Sequence, residues 1–179
     1  MLRPLTLCLS FLMMLAPAMV TSAAEPQVGD LAPAFELPGS DGAVYKLSEL
    51  VKSGPVVLAW FPKAFTPGCT KECQSLRDGG QSLRAAGVAY FTASCDTAEE
   101  NKKFAESLEL DFPILSDPQQ QVARAYGVVT DERPRPLRWT FYIGTDGKIL
   151  HIEKQVETAR HAEQILETLA RLGLTAQAS

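Results

Sequence analysis

Two cysteines lie four residues apart in the stretch "FPKAFTPGCTKECQSLRD", residues 61–78. Cys69 follows a turn rich in proline, threonine and glycine, and Cys73 comes one helical turn later if a helix begins here. Three roles are compatible with this spacing: a redox-active nucleophile, a pair of thiolates that chelates a soft metal ion, and two small core residues. The remainder of the sequence has to discriminate among them.

The turn before Cys69 is suited to stabilising a thiolate. A cysteine in the first turn of a helix lies where unpaired backbone N–H groups converge and where the helix dipole is positive. Pro67 and Gly68 predict a tight entry, and the glycine leaves the amides accessible. Thr66 places a hydroxyl one turn before the sulfur, so a small polar oxidant fits between that hydroxyl and the amides of Gly68 and Cys69. From these residues alone, a small buried thiol is an equal alternative.

The N-terminus has the features of a secretory signal peptide. Arg3 precedes the apolar segment "LTLCLSFLMML", and small residues gather before Glu25, which predicts cleavage after Ala24. Because a spanning helix needs about 20 apolar residues, we expect export to the periplasm or another extracytoplasmic location, with a retained anchor as the alternative. Cys8 is removed with this segment. The odd number of cysteines left then includes at least one unpaired thiol within a single chain.

The remainder, residues 25–179, is predicted to form one domain. Its length allows a full hydrophobic core, and the whole chain carries a net charge of −4 at pH 7. Basic and aromatic residues are not arranged as in a nucleic-acid binding surface, so we expect no nucleic-acid partner. No further apolar span follows the signal segment, and we expect a monomer or weak dimer with no membrane association after cleavage.

Apolar patterning predicts an α/β domain with a strand and a helix on either side of the cysteine turn. "PVVLAWF", residues 55–61, is a continuous apolar run that predicts a buried central strand. The apolar stripe beginning at Cys69 predicts a helix that ends at Gly87. Around these elements we predict an N-terminal hairpin across "PGSDG", a strand over 88–94, a helix capped by Thr97, a helix with Pro118 in its first position, a late hairpin and a C-terminal helix that ends at Gly173.

Three residues of the cysteine turn match a known signature. Pro62, Thr66 and Cys69 fit the P-x-x-x-T-x-x-C pattern of the peroxiredoxins, and "TPGCTKE" followed by Arg77-Asp78 resembles the bacterioferritin comigratory protein or peroxiredoxin Q branch of the AhpC/TSA family. The similarity also includes "VGDLAPAFELPGSDG", "FPILSD" and "RWTFYIGTDGKI", and covers residues 27–173. It implies a thioredoxin-like fold, in which helices flank a central mixed sheet and a β-hairpin extends the N-terminus.

The resemblance implies a thiol peroxidase that needs no cofactor and no metal. Cys69 would be the peroxidatic cysteine, oxidised to a sulfenic acid by hydrogen peroxide or an organic hydroperoxide. By family position, Arg138 would hold the thiolate and the peroxide, Thr66 would hydrogen-bond the peroxide, and Pro62 would shield the sulfur from water. A thioredoxin-like or other dithiol protein would supply the reducing equivalents.

The resolving cysteine is expected to be Cys73, with Cys95 as the alternative. The branch often has this cysteine five residues after the first, where the chain has Gln74. On an intact helix the Cβ atoms of Cys69 and Cys73 would lie about 5–6 Å apart. A disulfide requires about 3.5–4.5 Å, so we expect the first helical turn to unwind before the bond forms.

A second departure from the branch concerns the entrance to the pocket. The branch often has two acidic residues where this chain has Ala64 and Phe65. We therefore expect a more apolar pocket mouth and an altered preference among peroxides.

Two other functions share the spacing or the expected fold. Sco-type copper chaperones also carry Cys-x-x-x-Cys, but they require a histidine from the loop before the late hairpin, and residues 130–138 contain none. His151 and His161 are instead expected at the surface or at a sheet edge. A thioredoxin-like disulfide oxidoreductase would need Cys-x-x-Cys, which the sequence lacks.

Overall fold

The described part of the chain, residues 25–174 of a computed structural model, is built around a five-stranded mixed sheet. A separate hairpin comes first, Glu36–Pro38 (β1) and Val44–Lys46 (β2). The strands of the large sheet are Val56–Trp60 (β3), Ala89–Ser94 (β4), Ile114–Ser116 (β5), Thr140–Ile143 (β6) and Ile149–Glu153 (β7). Their spatial order is β5-β4-β3-β6-β7, with β3 parallel to β4 and antiparallel to β6. The predicted fold class, including the N-terminal hairpin, is confirmed.

The predicted signal peptide of residues 1–24, Cys8 included, lies outside the described residues, as do residues 175–179. Between residues 25 and 174, no helix combines the length and the apolar character that crossing a membrane would require.

Helices cover both faces of the sheet. They are Leu47–Ser53 (α1), Pro67–Asp78 (α2), Gly80–Ala85 (α3), Ala98–Ser107 (α4), Gln121–Ala125 (α5) and His161–Arg171 (α6), with a 3-10 turn at Thr158–Arg160. Successive strand residues point to opposite faces, so Val57 lies in the core beneath α2, α3, α4 and α6, whereas Leu58 lies in the core beneath α1 and α5. Every residue of β3 is buried, as its continuous apolar run predicts.

Several boundaries differ from those predicted. "FPILSD" contains the short strand β5, which the pattern did not indicate, and α1 was also missed. Pro118 lies in a turn before α5, because Gln120 adopts a left-handed conformation with φ of 58° that interrupts the helix. The Thr97 capping box is present as predicted, with reciprocal bonds between Thr97 and Glu100.

The helix predicted from Cys69 to Gly87 is divided at Gly79 into α2 and α3. A Cβ atom at Gly79 would lie 2.4 Å from the Cβ atom of Ala162, near the start of α6. The backbone N–H of Ala162 also donates to the Ser75 hydroxyl at 3.2 Å. Gly79 therefore allows α6 to pack closely on α2, the helix that carries both Cys69 and Cys73.

We expect Gly79→Ala to destabilise the protein by about 1–3 kcal/mol, because the added methyl group overpacks the contact between α2 and α6. Urea denaturation should show this as a lower free energy of unfolding. Ser82→Ala, at an exposed position of α3, is the control and should change that free energy by less than about 0.5 kcal/mol. An equally stable Gly79→Ala protein would contradict the close packing of the two helices.

Candidate active site

Cys69 lies in the first turn of α2, directly after the loop that follows the central strand β3. Pro67 is the first residue of this helix, and Thr66 before it has the extended backbone of an N-cap residue. The N–H of Thr70 donates to the carbonyl of Thr66 at 2.9 Å, which closes the first turn around the cysteine. The Cys69 side chain is fully buried. The strand, turn and helix predicted around Cys69 are thus all present.

Arg138 contacts the Cys69 sulfur. Its Nη2 donates to Cys69 Sγ at 3.3 Å, and its Nη1 pairs with a carboxylate oxygen of Glu72. A Cβ atom at Gly68 would lie 3.3 Å from that Nη2, so a glycine here leaves room for the guanidinium. The backbone next to Arg138 is attached to the central strand, since the N–H of Trp60 donates to the carbonyl of Trp139 at 2.8 Å.

The charge of Arg138 is stabilised by both of its partners. Desolvation by burial opposes this charge, but the Glu72 carboxylate and the Cys69 sulfur outweigh it and raise the pKa of the guanidinium. Arg138 is therefore a permanent cation whose two terminal nitrogens contact different partners, one the sulfur and the other the carboxylate.

Glu72 and His161 were not identified as site residues from the sequence. Glu72 is fully buried, and its Oε1 lies 3.0 Å from Nδ1 of His161, although the two atoms are not aligned as a hydrogen bond. The expectation that His161 is a surface or edge residue is wrong, because this side chain is completely buried at the start of α6. A carboxylate three residues after Cys69, on the same helical face, was the available signal for Glu72.

The loop between β3 and α2 is held by contacts to α4 and to the turn before it. Asp96 accepts a hydrogen bond from the Ala64 N–H at 2.8 Å and pairs with Lys63. The Thr66 hydroxyl donates to the Lys63 carbonyl at 2.9 Å. Because its proton is directed into the loop, the Thr66 oxygen presents lone pairs that can accept a hydrogen bond from a peroxide. Pro62 is partly buried in the same loop.

Of the two residues expected to make the pocket mouth apolar, only Phe65 is exposed. This residue is 57% exposed and its ring centroid lies 4.9 Å from that of Phe104, whereas Ala64 is buried. Phe65 also has a φ of 61°, in the left-handed region that non-glycine residues rarely adopt. The loop therefore holds an aromatic ring at the surface beside Thr66.

The other two cysteines lie in different cores. Cys73 is fully buried beneath α2, and burial, followed by the charges of Glu72 and Cys69, raises its pKa well above the ordinary value. Cys95 is partly buried at the end of β4 and packs into the core on the opposite face of the sheet. Burial, followed by Asp117 and Asp96, raises the pKa of Cys95 to about 12. Within residues 25–174, Cys69, Cys73 and Cys95 are all free thiols.

A copper site would need further ligands near the two thiols of α2. Within residues 25–174, no group of three or more His, Cys, Asp and Glu side chains is arranged to hold a metal ion. His151 lies on the edge strand β7, with Nε2 3.8 Å from a carboxylate oxygen of Glu153.

Comparison with known proteins finds relatives that match most of the chain. The model of the AhpC/TSA family matches residues 28–152. A putative peroxiredoxin of Mycobacterium tuberculosis is 38% identical over 147 residues, which cover 80% of this chain and 96% of the relative. Peroxiredoxin Bcp of Escherichia coli K12 is 37% identical over 150 residues, which cover 80% and 95%. The crystal structure of peroxidoxin BcpB from Mycobacterium tuberculosis superposes with a TM-score of 0.75 at 36% identity, over 82% of this chain and 98% of that one.

Proposed function

We propose that Cys69 is the peroxidatic cysteine of this chain, which belongs to the AhpC/TSA family and to its Bcp and peroxiredoxin Q branch. Membership of this family supports a thiol peroxidase. The observation that carries the assignment to Cys69 is the 3.3 Å contact between the Arg138 guanidinium and its sulfur, at the first turn of a helix. A fixed cation and the amides of that turn both favour the thiolate, which is the form that attacks peroxide.

In the oxidation step the Cys69 thiolate attacks one peroxide oxygen. A sulfur–oxygen bond forms as the oxygen–oxygen bond breaks, and the leaving oxygen departs as hydroxide or alkoxide and takes up a proton. Cys69 becomes a sulfenic acid. Arg138 stabilises the negative charge as it moves from the sulfur to the leaving oxygen, and the Thr66 oxygen orients the peroxide by accepting a hydrogen bond from it.

Cys73 is the proposed resolving cysteine. Cys69 and Cys73 share the core beneath α2, whereas Cys95 packs on the other face of the sheet, which separates it from Cys69. The Cys73 thiol loses its proton and attacks the sulfenic sulfur as a thiolate. The sulfur–oxygen bond breaks as the disulfide forms, and the hydroxyl group takes up that proton and leaves as water. Since Cys73 is buried inside an intact helix, the first turn of α2 must open before this step.

Opening of α2 should become easier as the pH rises. Burial raises the pKa of Cys73 in the folded helix above that of a solvated thiol. The Cys73 thiol therefore loses its proton at lower pH when the segment is open than when the helix is folded. The folded turn is therefore fully favoured below the ordinary thiol pKa and loses stability above it. We expect the disulfide to form faster as the pH rises through this range.

Non-reducing peptide mapping after one equivalent of peroxide tests both assignments. Trypsin cleaves after Lys71, so a bond between Cys69 and Cys73 joins two separate peptides. Cys73→Ser should retain the oxidation of Cys69 and lose this bond, and further peroxide in excess should convert its Cys69 to sulfinic acid. Cys95→Ser is the matched control and should form the bond at the wild-type rate. A wild-type Cys69 peptide unaltered by peroxide would refute the proposed function. A bond from Cys69 to Cys95 would show that Cys95, and not Cys73, is the resolving cysteine.

The substrates, location and assembly complete the proposal. A thioredoxin-like or other dithiol protein reduces the disulfide, and hydrogen peroxide or an organic hydroperoxide is the oxidant. The exposed ring of Phe65 supports activity on organic hydroperoxides, because it offers apolar surface beside Thr66. Cleavage after Ala24 would release a periplasmic or other extracytoplasmic monomer or weak dimer. The comparisons do not favour the copper-binding and disulfide-exchange alternatives.

A further inference from the structure

A second layer of buried polar side chains lies behind Arg138. It consists of Glu72 on α2, His161 at the start of α6 and Thr140 at the start of β6, and all three side chains are fully buried. His161 lies between the other two, with Nδ1 3.0 Å from Glu72 Oε1 and Nε2 2.9 Å from Thr140 Oγ1. The chain of contacts thus runs from Thr140 to the sulfur of Cys69.

The Glu72 carboxylate needs a partner for each oxygen. An ionised carboxylate without water is costly unless it is paired, and leaving one oxygen unmatched forfeits much of the compensation. Arg138 pairs with Oε2, and His161 faces Oε1. Because a carboxylate only accepts hydrogen bonds, His161 can stabilise Oε1 only through a proton on Nδ1. On the other side of the ring, the 2.9 Å contact between Nε2 and the Thr140 hydroxyl fixes the orientation of the imidazole.

Other contacts hold His161 in place. The N–H of Ala162, the next residue, donates to the Ser75 hydroxyl of α2. Because Gly79 has no side chain, the two helices can approach each other closely at this point. The start of α6 is therefore clamped to the helix that carries Glu72. Thr140 belongs to β6, only two residues beyond Arg138.

We propose that His161, with Thr140 behind it, is a positioning residue for the reaction of Cys69. It holds the Glu72 carboxylate so that Nη1 of Arg138 pairs with Oε2 while Nη2 donates to the Cys69 sulfur. Cys69 itself, Arg138 and Thr66 contact the reacting atoms, whereas His161 acts only through Glu72. This inference rests on the proposed role of Cys69 and deepens it.

The test compares His161→Leu, which keeps much of the volume but removes the donor, with His161→Gln, which restores one. Two properties are measured: the second-order rate constant for oxidation of Cys69 by hydrogen peroxide, and the pH dependence of its alkylation by iodoacetamide, followed in the tryptic peptide of residues 64–71. We expect His161→Leu to be oxidised roughly tenfold more slowly, the scale of losing one donor to a buried charge. Its half-maximal alkylation should move to higher pH, and His161→Gln should recover most of both properties.

Substitutions at two threonines distinguish a positioning role of His161 from a role in packing alone. Thr140→Val removes the hydroxyl that orients the ring and should shift both properties in the same direction by a smaller factor. Thr168→Val changes another buried threonine, on α6 itself, and should leave both properties at their wild-type values.

A folded His161→Leu protein with the wild-type rate and alkylation profile would overturn the proposal. So would equal losses in His161→Leu and Thr168→Val, which would indicate a packing effect. If His161→Leu does not fold, Thr140→Val decides, and an unchanged profile in that variant overturns the proposal. The alkylation measurement needs no peroxidase activity. If peroxide does not oxidise Cys69 in the wild type, the proposed function is refuted. The alkylation profile still tests whether His161 positions Glu72 and Arg138.

Discussion

Cys69→Ser is expected to abolish peroxide consumption and to leave the fold intact. A hydroxyl at this position is almost entirely protonated near neutral pH and cannot replace a thiolate as the nucleophile. Serine is close to cysteine in size, so the first turn of α2 and its contact with Arg138 should persist. Peroxide loss in the presence of a dithiol reductant measures the activity. Far-UV circular dichroism and urea denaturation measure the fold.

The matched control for this substitution is Cys95→Ser. Its side chain packs on the opposite face of the sheet, so one equivalent of peroxide should oxidise this variant as fast as the wild type. Loss of that oxidation in Cys95→Ser, or turnover at the parental rate in Cys69→Ser, would contradict the assignment of Cys69.

The local part of the site could be predicted from the sequence because it is contiguous. A buried strand, a proline- and glycine-bearing turn and a helix occur in direct succession, and each has its own signal in residue type or period. The helix nevertheless divides at Gly79, because the division depends on how closely Ala162 approaches. That approach is a tertiary contact, which the apolar stripe of a single helix does not encode.

The layer behind the arginine could not be predicted in the same way. His161 is distant in sequence from Cys69, and its pattern on a C-terminal amphipathic helix is also that of a residue at the border with solvent. Only the packing of α6 onto α2 brings His161 to Glu72. Arg138 was identified by its position in the family, since an arginine before a strand carries no signal of its own.

Arg138→Lys should keep the positive charge and still lower the rate of Cys69 oxidation by about 10²–10³-fold, the scale of losing an oriented donor to a developing charge. The guanidinium reaches Glu72 with one nitrogen and Cys69 with the other. A lysine ammonium is a single compact centre without this fork, so it cannot hold both partners in the same geometry. Pairing with the buried carboxylate would draw the charge away from the sulfur. Stopped-flow oxidation by hydrogen peroxide measures the rate.

Arg135→Lys provides the matched control, because Arg135 lies in the same loop with its side chain exposed. That substitution removes one guanidinium at constant net charge, so it should leave the oxidation rate unchanged. Urea denaturation of both variants separates a loss of rate from a loss of folded protein. Wild-type oxidation by a folded Arg138→Lys protein would show that a point charge is sufficient at this position. In that case the fork, and the carboxylate that orients it, would have no part in the reaction of Cys69 with peroxide.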